Sequence, residues 1–246
     1  MIQNGKLRQI SMFLNKKKTY PFELVEKFEQ IFYINYLMKG MTVFDVGANI
    51  GELTLLFSKF ISENGVVHSF EPTPQTFEKL KMITAIAGRK NVVLNQFAVS
   101  NIDGYIDFNV YKEEFSCWNT SANRPLANYG IDLKPETCIS VPTITIDSYC
   151  KQHNIERIDL LKVDVEGAEI NVLEGAKKMF RGTNIGCCVF EFGQTLHDMG
   201  RSSDDLKKFF RDVNYSVSNV VKHQILFPVD NKTGIAQFAI HIAKPR

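Results

Sequence analysis

The stretch Met41-Thr-Val-Phe-Asp-Val-Gly-Ala-Asn-Ile-Gly51 decides how the rest of the chain reads. Met41 to Val46 is apolar and β-branched, as a buried strand requires. After Gly51 the period changes, and Leu53, Leu56, Phe57 and Phe60 recur at helical spacing on one face. A strand passing into a helix through Gly47 to Gly51 gathers backbone N–H groups and a helix N-terminus at one point, and glycine lets a ligand approach there without a Cβ in the way. Asn49 stands where many such loops have glycine, and asparagine tolerates positive φ.

The same alternation continues outward. Asn64-Gly65 turns the chain, Val66 to Phe70 gives a second strand, and Thr73-Pro74 opens a helix with Thr73 as N-cap and proline at the first position. A third strand, Val92 to Leu94, follows. Later come a helix near Ile146 to His153, a strand Ile158 to Val163, and a helix whose Ile170, Leu173, Lys177 and Phe180 share one face as far as Gly182. Strand Ile185 to Phe192, helix Asp204 to Asp212 and two closing strands around Tyr215 to Val221 and Gln237 to Ala243 complete the set. The turn residues between the last two predict an antiparallel pair. Strands alternating with helices imply βαβ units, hence an α/β fold with a mostly parallel sheet and helices on both faces.

Two regions break this rhythm. Residues 97–145 hold strand patterns at Tyr105 to Tyr111 and Cys138 to Thr145 with no helix between them, so they read as a β-rich insertion. Its polar middle, Lys112 to Glu136, carries the sole tryptophan, Trp118, and is a candidate substrate lid or plain decoration. Ahead of the alternating region, residues 1–40 form a helical extension: basic Lys16, Lys17 and Lys18, then a helix from Phe22 to Met38 whose aromatic stripe packs on its own domain. Residues 41–246 are read as one domain.

Composition narrows the class. The 246 residues are 44% apolar and 23% charged, as in an average globular protein, and 29 basic against 27 acidic residues give a net charge of +2. That charge offers little to a polyanion, so no nucleic-acid partner is expected. Cys117, Cys138, Cys150, Cys187 and Cys188 form no C-x-x-C pair and read as reduced thiols of a cytoplasmic protein. No stretch has the ~18 apolar residues of a membrane span, and no signal-peptide core is present. The composition leaves room for a homo-oligomer.

The chemistry follows from acids at strand ends. Glu71 closes the second strand 26 residues past Asp45, close to where nucleotide-binding sheets place the acid that accepts ribose hydroxyls. The loop is not G-x-G-x-x-G, and Glu52 in the first helical turn would repel a pyrophosphate, which disfavours NAD and FAD. A ribose-bearing ligand with a cationic, phosphate-free tail suits these carboxylates, and S-adenosylmethionine is such a ligand. Asp164, Glu166 and Glu169 follow the strand ending at Val163. They would repel one another unless a sulfonium, an amino group or a metal ion lay between them. Helix capping accounts for Glu169, whereas Asp164 and Glu166 are assigned to the site. Glu191, at the end of the next strand, and His197 after it are the candidate general bases. No H-x-x-H spacing supports a metal, and none is predicted.

Three blocks, VFDVGANIGELT at Val43 to Thr54, HSFEPTPQTFEKL at His68 to Leu80 and IDLLKVDVEGAEINVLEGA at Ile158 to Ala176, make the chain resemble the FkbM-type S-adenosylmethionine-dependent methyltransferases. The resemblance covers Met41 to Phe192. It implies a Rossmann-like class I methyltransferase fold with a seven-stranded sheet and one reversed strand. It also implies O-methylation of a small-molecule or glycan acceptor, on a sugar or natural-product hydroxyl. Carried onto this chain, Asp45, Gly47, Ala48, Asn49 and Gly51 would form the cofactor loop and Glu71, with Pro72, would hold the ribose. Ala98 would lie near the adenine, although Gln96 to Ser100 lacks the acid that many relatives of this fold place there. Asp164 and the acids after it would face the methionine end or the acceptor. A nicotinamide-dependent oxidoreductase would use the same loop and the same Glu71, and is the competing reading.

Overall fold

Short runs of apolar residues become strands buried on both faces because helices cover both sides of the sheet they form. The computed structural model describes residues 20–122, 124–222, 224–230 and 233–246, so Lys16, Lys17, Lys18 and His223 lie outside the described residues. Helix α1 (Phe22–Tyr36) leads into β1 (Thr42–Val46), α2 (Glu52–Ile61), β2 (Val66–Phe70), α3 (Pro74–Ile86) and β3 (Val92–Asn95). The insertion supplies β4 (Ala98–Val99), β5 (Gly104–Val110) and β6 (Thr137–Ile144). The alternation then resumes with α4 (Ile146–Gln152), β7 (Leu160–Val163), α5 (Glu169–Gly175), α6 (Lys177–Arg181), β8 (Cys188–Phe192), α7 (Gln194–Asp198), α8 (Ser203–Asp212), β9 (Tyr215–Asn219) and β10 (Ala239–Pro245).

The main sheet has seven strands in the order β3-β2-β1-β7-β8-β10-β9, and β10 runs antiparallel to both its neighbours. The insertion folds as a separate three-stranded sheet, β4-β6-β5. Successive strand residues alternate between two cores. Val43, Val67, Leu160 and Val189 pack under α1 and α2, while Phe44, Phe70, Leu161 and Phe190 pack with α4, α5, α6 and α8 on the other face. The aromatic stripe of α1 belongs to the first core: Val25 and Tyr33 are fully buried, and Phe28, Phe32 and Tyr36 pack against the same cluster.

The structure corrects several expectations. The helix expected to run to Gly182 is broken at Ala176, because Gly175 packs against the backbone of Ser100 so closely that a Cβ there would lie 2.1 Å from its carbonyl oxygen. In α2 the fully buried side is Thr54, Phe57, Ser58 and Ile61. Leu53, Leu56 and Phe60 are only partly covered, packed against the cluster that holds α1. Thr73 occupies the N-cap of α3, but its hydroxyl does not cap the helix and goes to Glu71 instead.

Candidate active site

Register lines up the strand ends. Val46 stands opposite Phe70 on β2 and Val163 on β7, and Val163 stands opposite Phe190 on β8. The next residue of each strand, Gly47, Glu71, Asp164 and Glu191, therefore falls in one row at the carboxyl edge of the sheet, where open α/β sheets bind ligands.

The loop after β1 is fixed by its backbone. Gly47 has φ +78° and approaches β7 so closely that a Cβ would lie 1.7 Å from the Asp164 carbonyl oxygen. Gly51, at φ +96°, meets Leu80 in the same way at 2.5 Å. Asn49 adopts φ +47°, the conformation expected of it. The Gly47 and Ala48 N–H groups donate to the Phe70 carbonyl at 3.1 and 2.9 Å. The Asn49 N–H donates to Glu71 Oε2 at 3.2 Å. Glu71 also accepts the Thr73 N–H at 3.0 Å and the Thr73 hydroxyl. Burial raises its pKa despite these donors, and the side chain still lines the cavity described below.

Asp45 lies one layer beneath this loop. Its register partners are Ser69 and Lys162. Its carboxylate accepts the Thr54 hydroxyl at 2.6 Å and faces Lys162 Nζ at 3.6 Å. Lys162 also donates to the Gly47 carbonyl at 3.0 Å and lies 3.4 Å from Asp164. Burial opposes its charge, but Asp164, Asp45 and Glu29 outweigh that and raise its pKa. Sequence reasoning missed Lys162. The signal was there, since a lysine inside the wholly buried run Leu160-Leu161-Lys162-Val163 requires carboxylate partners.

The loop after β7 is organised by carboxylates. Glu169 accepts the N–H groups of Val165 and Gly167 at 3.2 and 3.1 Å and closes its own turn, in keeping with a local capping role. Glu166 sits at φ +55° and its Oε2 pairs with Arg124 at 3.2 Å. Burial and the Asp164 carboxylate push the Glu166 carboxyl from the ordinary 4.5 up to about 8, against the pull of Arg124. Burial, with Asp164, Glu166 and Glu169 nearby, raises Glu191 far above the usual range, and a hydrogen bond to Asp164 adds to the effect. Glu191 thus holds its proton beside Asp164.

These groups meet in a cavity of about 680 Å³, within the size range of small-molecule sites. Gly47, Ala48, Asn49, Gly51, Glu71, Pro72, Ala98, Asp164, Glu166 and Glu191 all line it. Asp45 and His197 do not: Asp45 is turned to Lys162, and His197 stands on α7 with its ring edge-on to Phe192 at 6.0 Å. Two walls come from outside the alternating region: α1, which the sequence does not mark as part of the site, and the polar middle of the insertion, the candidate lid. Helix α1 contributes Phe22, Glu26, Glu29 and Gln30, and the insertion contributes Ser116, Cys117, Trp118 and Asn119. Burial raises Glu29 to about 7, although the Tyr33 hydroxyl, donating at 2.7 Å, pulls it down.

Residues 45–217 match the Methyltransferase FkbM domain family. The chain belongs to this family. It is 25% identical over 182 residues to hexuronic acid methyltransferase AglP of Haloferax volcanii, covering 71% of this chain and 69% of that protein. It is 31% identical over 161 residues to the 31-O-demethyl-FK506 methyltransferase FkbM of Streptomyces tacrolimicus, covering 57% of this chain and 61% of that one. Among solved structures, a methyltransferase FkbM from Methylobacillus flagellatus KT superposes with a TM-score of 0.50 at 13% identity, covering 83% of this chain and 43% of that one. That likeness concerns the fold alone.

S-adenosylmethionine, the methyl donor of FkbM-family enzymes, fits the residues present. Among the described residues, seven carboxyl side chains line the cavity (Glu26, Glu29, Glu52, Glu71, Asp164, Glu166 and Glu191) against one lysine, Lys162. That balance favours a cation and opposes a pyrophosphate. The side-chain oxygen of Asn49 is buried without a partner among the described residues, an acceptor suited to a ligand donor.

Proposed function

We propose that this protein transfers a methyl group from S-adenosylmethionine to a hydroxyl oxygen of a sugar or natural-product acceptor. Family membership supports the chemistry, and the names of the two relatives above, one acting on hexuronic acid and one forming an O-methyl group, support the acceptor class. The carrying observation is the row of Gly47, Glu71, Asp164 and Glu191 at the edge of an acid-lined cavity.

In this reading the backbone of Gly47, Ala48, Asn49 and Gly51 holds the donor, Glu71 accepts its ribose hydroxyls beside Pro72, and Ala98 flanks the base. Asp164 faces the cationic end. When bound, the donor supplies a methyl group already activated on a sulfonium. The task left to the protein is alignment of the acceptor oxygen, worth about 7–11 kcal/mol in well-oriented systems. Asp164, Glu166 and Glu191 orient that oxygen, and the carboxylate of the Asp164–Glu191 pair takes its proton. His197, outside the cavity, has no such route. The unpaired state of all five cysteines suits a cytoplasmic setting, and among the described residues no helix is long and apolar enough to cross a membrane.

Calorimetry with S-adenosylmethionine and NAD tests the donor, and labelled methyl transfer to a panel of sugars and hydroxylated natural products tests the acceptor. Binding of the sulfonium and not of NAD is expected. Tight NAD binding without S-adenosylmethionine binding would return the chain to the oxidoreductase reading.

A further inference from the structure

Arg124 has no place on the cavity surface, yet it touches two residues that do. Its guanidinium carbon lies 5.0 Å from the centre of the Trp118 ring, and its Nη1 donates to Glu166 Oε2 at 3.2 Å. Both partners of that ion pair are mostly buried, 12% and 19% exposed at the side chain, so solvent screens it little. The neighbouring Thr120 hydroxyl donates to the Glu166 carbonyl at 2.9 Å. The segment is itself pinned to β5: Asn109 and Thr120 exchange backbone hydrogen bonds at 2.8 and 3.2 Å, and the Asn109 side chain donates to the Ala122 carbonyl at 2.8 Å. Glu166 is thus gripped at side chain and backbone by the insertion while it holds φ +55°, a conformation costly for glutamate unless its surroundings impose it.

We infer that Arg124 is a positioning residue that locks Glu166 and Trp118 into a single wall of the cavity. A planar guanidinium suits both tasks at once, stacking by its face and pairing by its edge, whereas an ammonium is a point charge with no planar face and cannot stack on the ring while it pairs. The inference deepens the proposed function, because it rests on Glu166 facing the bound donor or acceptor.

The charged and titratable groups around Glu166 are Asp164 and Glu169 on its own loop, Lys162 on β7, Glu191 on β8, and Tyr111, Cys117 and Arg124 in the insertion. Of these, Arg124 reaches the loop through the Glu166 side chain, whereas Glu169 holds the loop's own N–H groups. Trp118, as the chain's one tryptophan, reports on the wall by fluorescence without any ligand. In the Arg124→Gln variant, Trp118 emission is expected to move to the red and acrylamide quenching to rise. The pH midpoint of S-adenosylmethionine affinity is expected to move up by about one unit as Glu166 loses its cation. In a Glu166→Gln background the same substitution shifts no midpoint, which assigns the effect to the pair. Arg124→Lys keeps the midpoint and loses the tryptophan signature.

If Arg124→Gln does not fold, as judged by circular dichroism, the emission of Arg124→Lys decides. Parental emission in whichever variant folds overturns the inference, and so does an unchanged midpoint in folded Arg124→Gln. If the parent protein binds no S-adenosylmethionine, the proposed function falls, and the emission measurement alone still decides the role of Arg124.

Discussion

Two loops lie side by side at the carboxyl edge of the sheet and are built on opposite principles. The loop after β1 is shaped by glycine and asparagine backbone conformations, and its acid, Asp45, is buried and matched by Lys162. The loop after β7 is shaped by side-chain carboxylates. It keeps one of them, Glu169, for its own N–H groups and presents Asp164 and Glu166 to the cavity. They touch where Gly47 meets the Asp164 carbonyl. The first loop rests on backbone above one buried acid and one lysine, whereas the second shares that lysine and Arg124 among Asp164 and Glu166, with Glu191 beside them, and so holds more acids than cations.

The sharpest way to break this contrast is to remove the compensation beneath the first loop. Lys162→Met leaves Asp45 buried without its cation and the Gly47 carbonyl without its donor, and is expected to cost about 3–5 kcal/mol in urea unfolding. A loss under about 1 kcal/mol would mean that Asp45 does not depend on the lysine. Gly47→Ala comes next. Its Cβ has no room beside Asp164, and positive-φ strain adds about 1–3 kcal/mol, so both melting temperature and S-adenosylmethionine affinity should fall. Gly40→Ala, at φ +85° with nothing within 4 Å, should show the strain alone and leave affinity unchanged.

Glu71→Ala is expected to leave the fold in place and weaken S-adenosylmethionine binding by about 1.5–3 kcal/mol for each charge-assisted hydrogen bond lost. Unchanged affinity in calorimetry would remove Glu71 from the donor site. The smallest effect concerns pH. Burial first, and then neighbouring charge, raises Glu166 from 4.5 to about 8 and Glu169 to about 7. The folded protein therefore keeps protons that the unfolded chain releases near 4.5. The associated stability is complete below that value and is lost as pH rises through 7 to 8. Melting temperature should drop between about pH 6 and about pH 8.5, and S-adenosylmethionine should restore more of it at the higher pH, where its cation meets ionised carboxylates. Equal melting temperatures would show that the second loop carries no surplus charge.

What could be read beforehand follows the same division. Strand β1 with its glycine turn, the end of β2 with Glu71, and β7 with its carboxylates are each short local runs of sequence, so period and spacing place them. Lys162, Arg124 and the cavity residues of α1 act across long separations, and their roles appear only once register sets Lys162 beside Asp45 and folding brings the insertion onto Glu166. The same distance explains why two candidates do not line the cavity. Asp45 reads as a ligand residue until its register partner is known, and His197 follows the right strand but is carried off on α7. The break at Ala176 was hidden because its cause, Ser100, comes from another part of the chain.

The site is closed by its earliest and latest described elements, since the rings of Phe22 and Phe238 meet 4.5 Å apart across the cavity wall. During synthesis, then, Phe22 and the loops after β1 and β7 all emerge from the ribosome before Phe238. A nascent chain that stops before Phe238 would have neither β10 to join β8 to β9 nor a ring for Phe22 to meet. Completion of this part of the cavity wall is thereby deferred until Phe238 has been made.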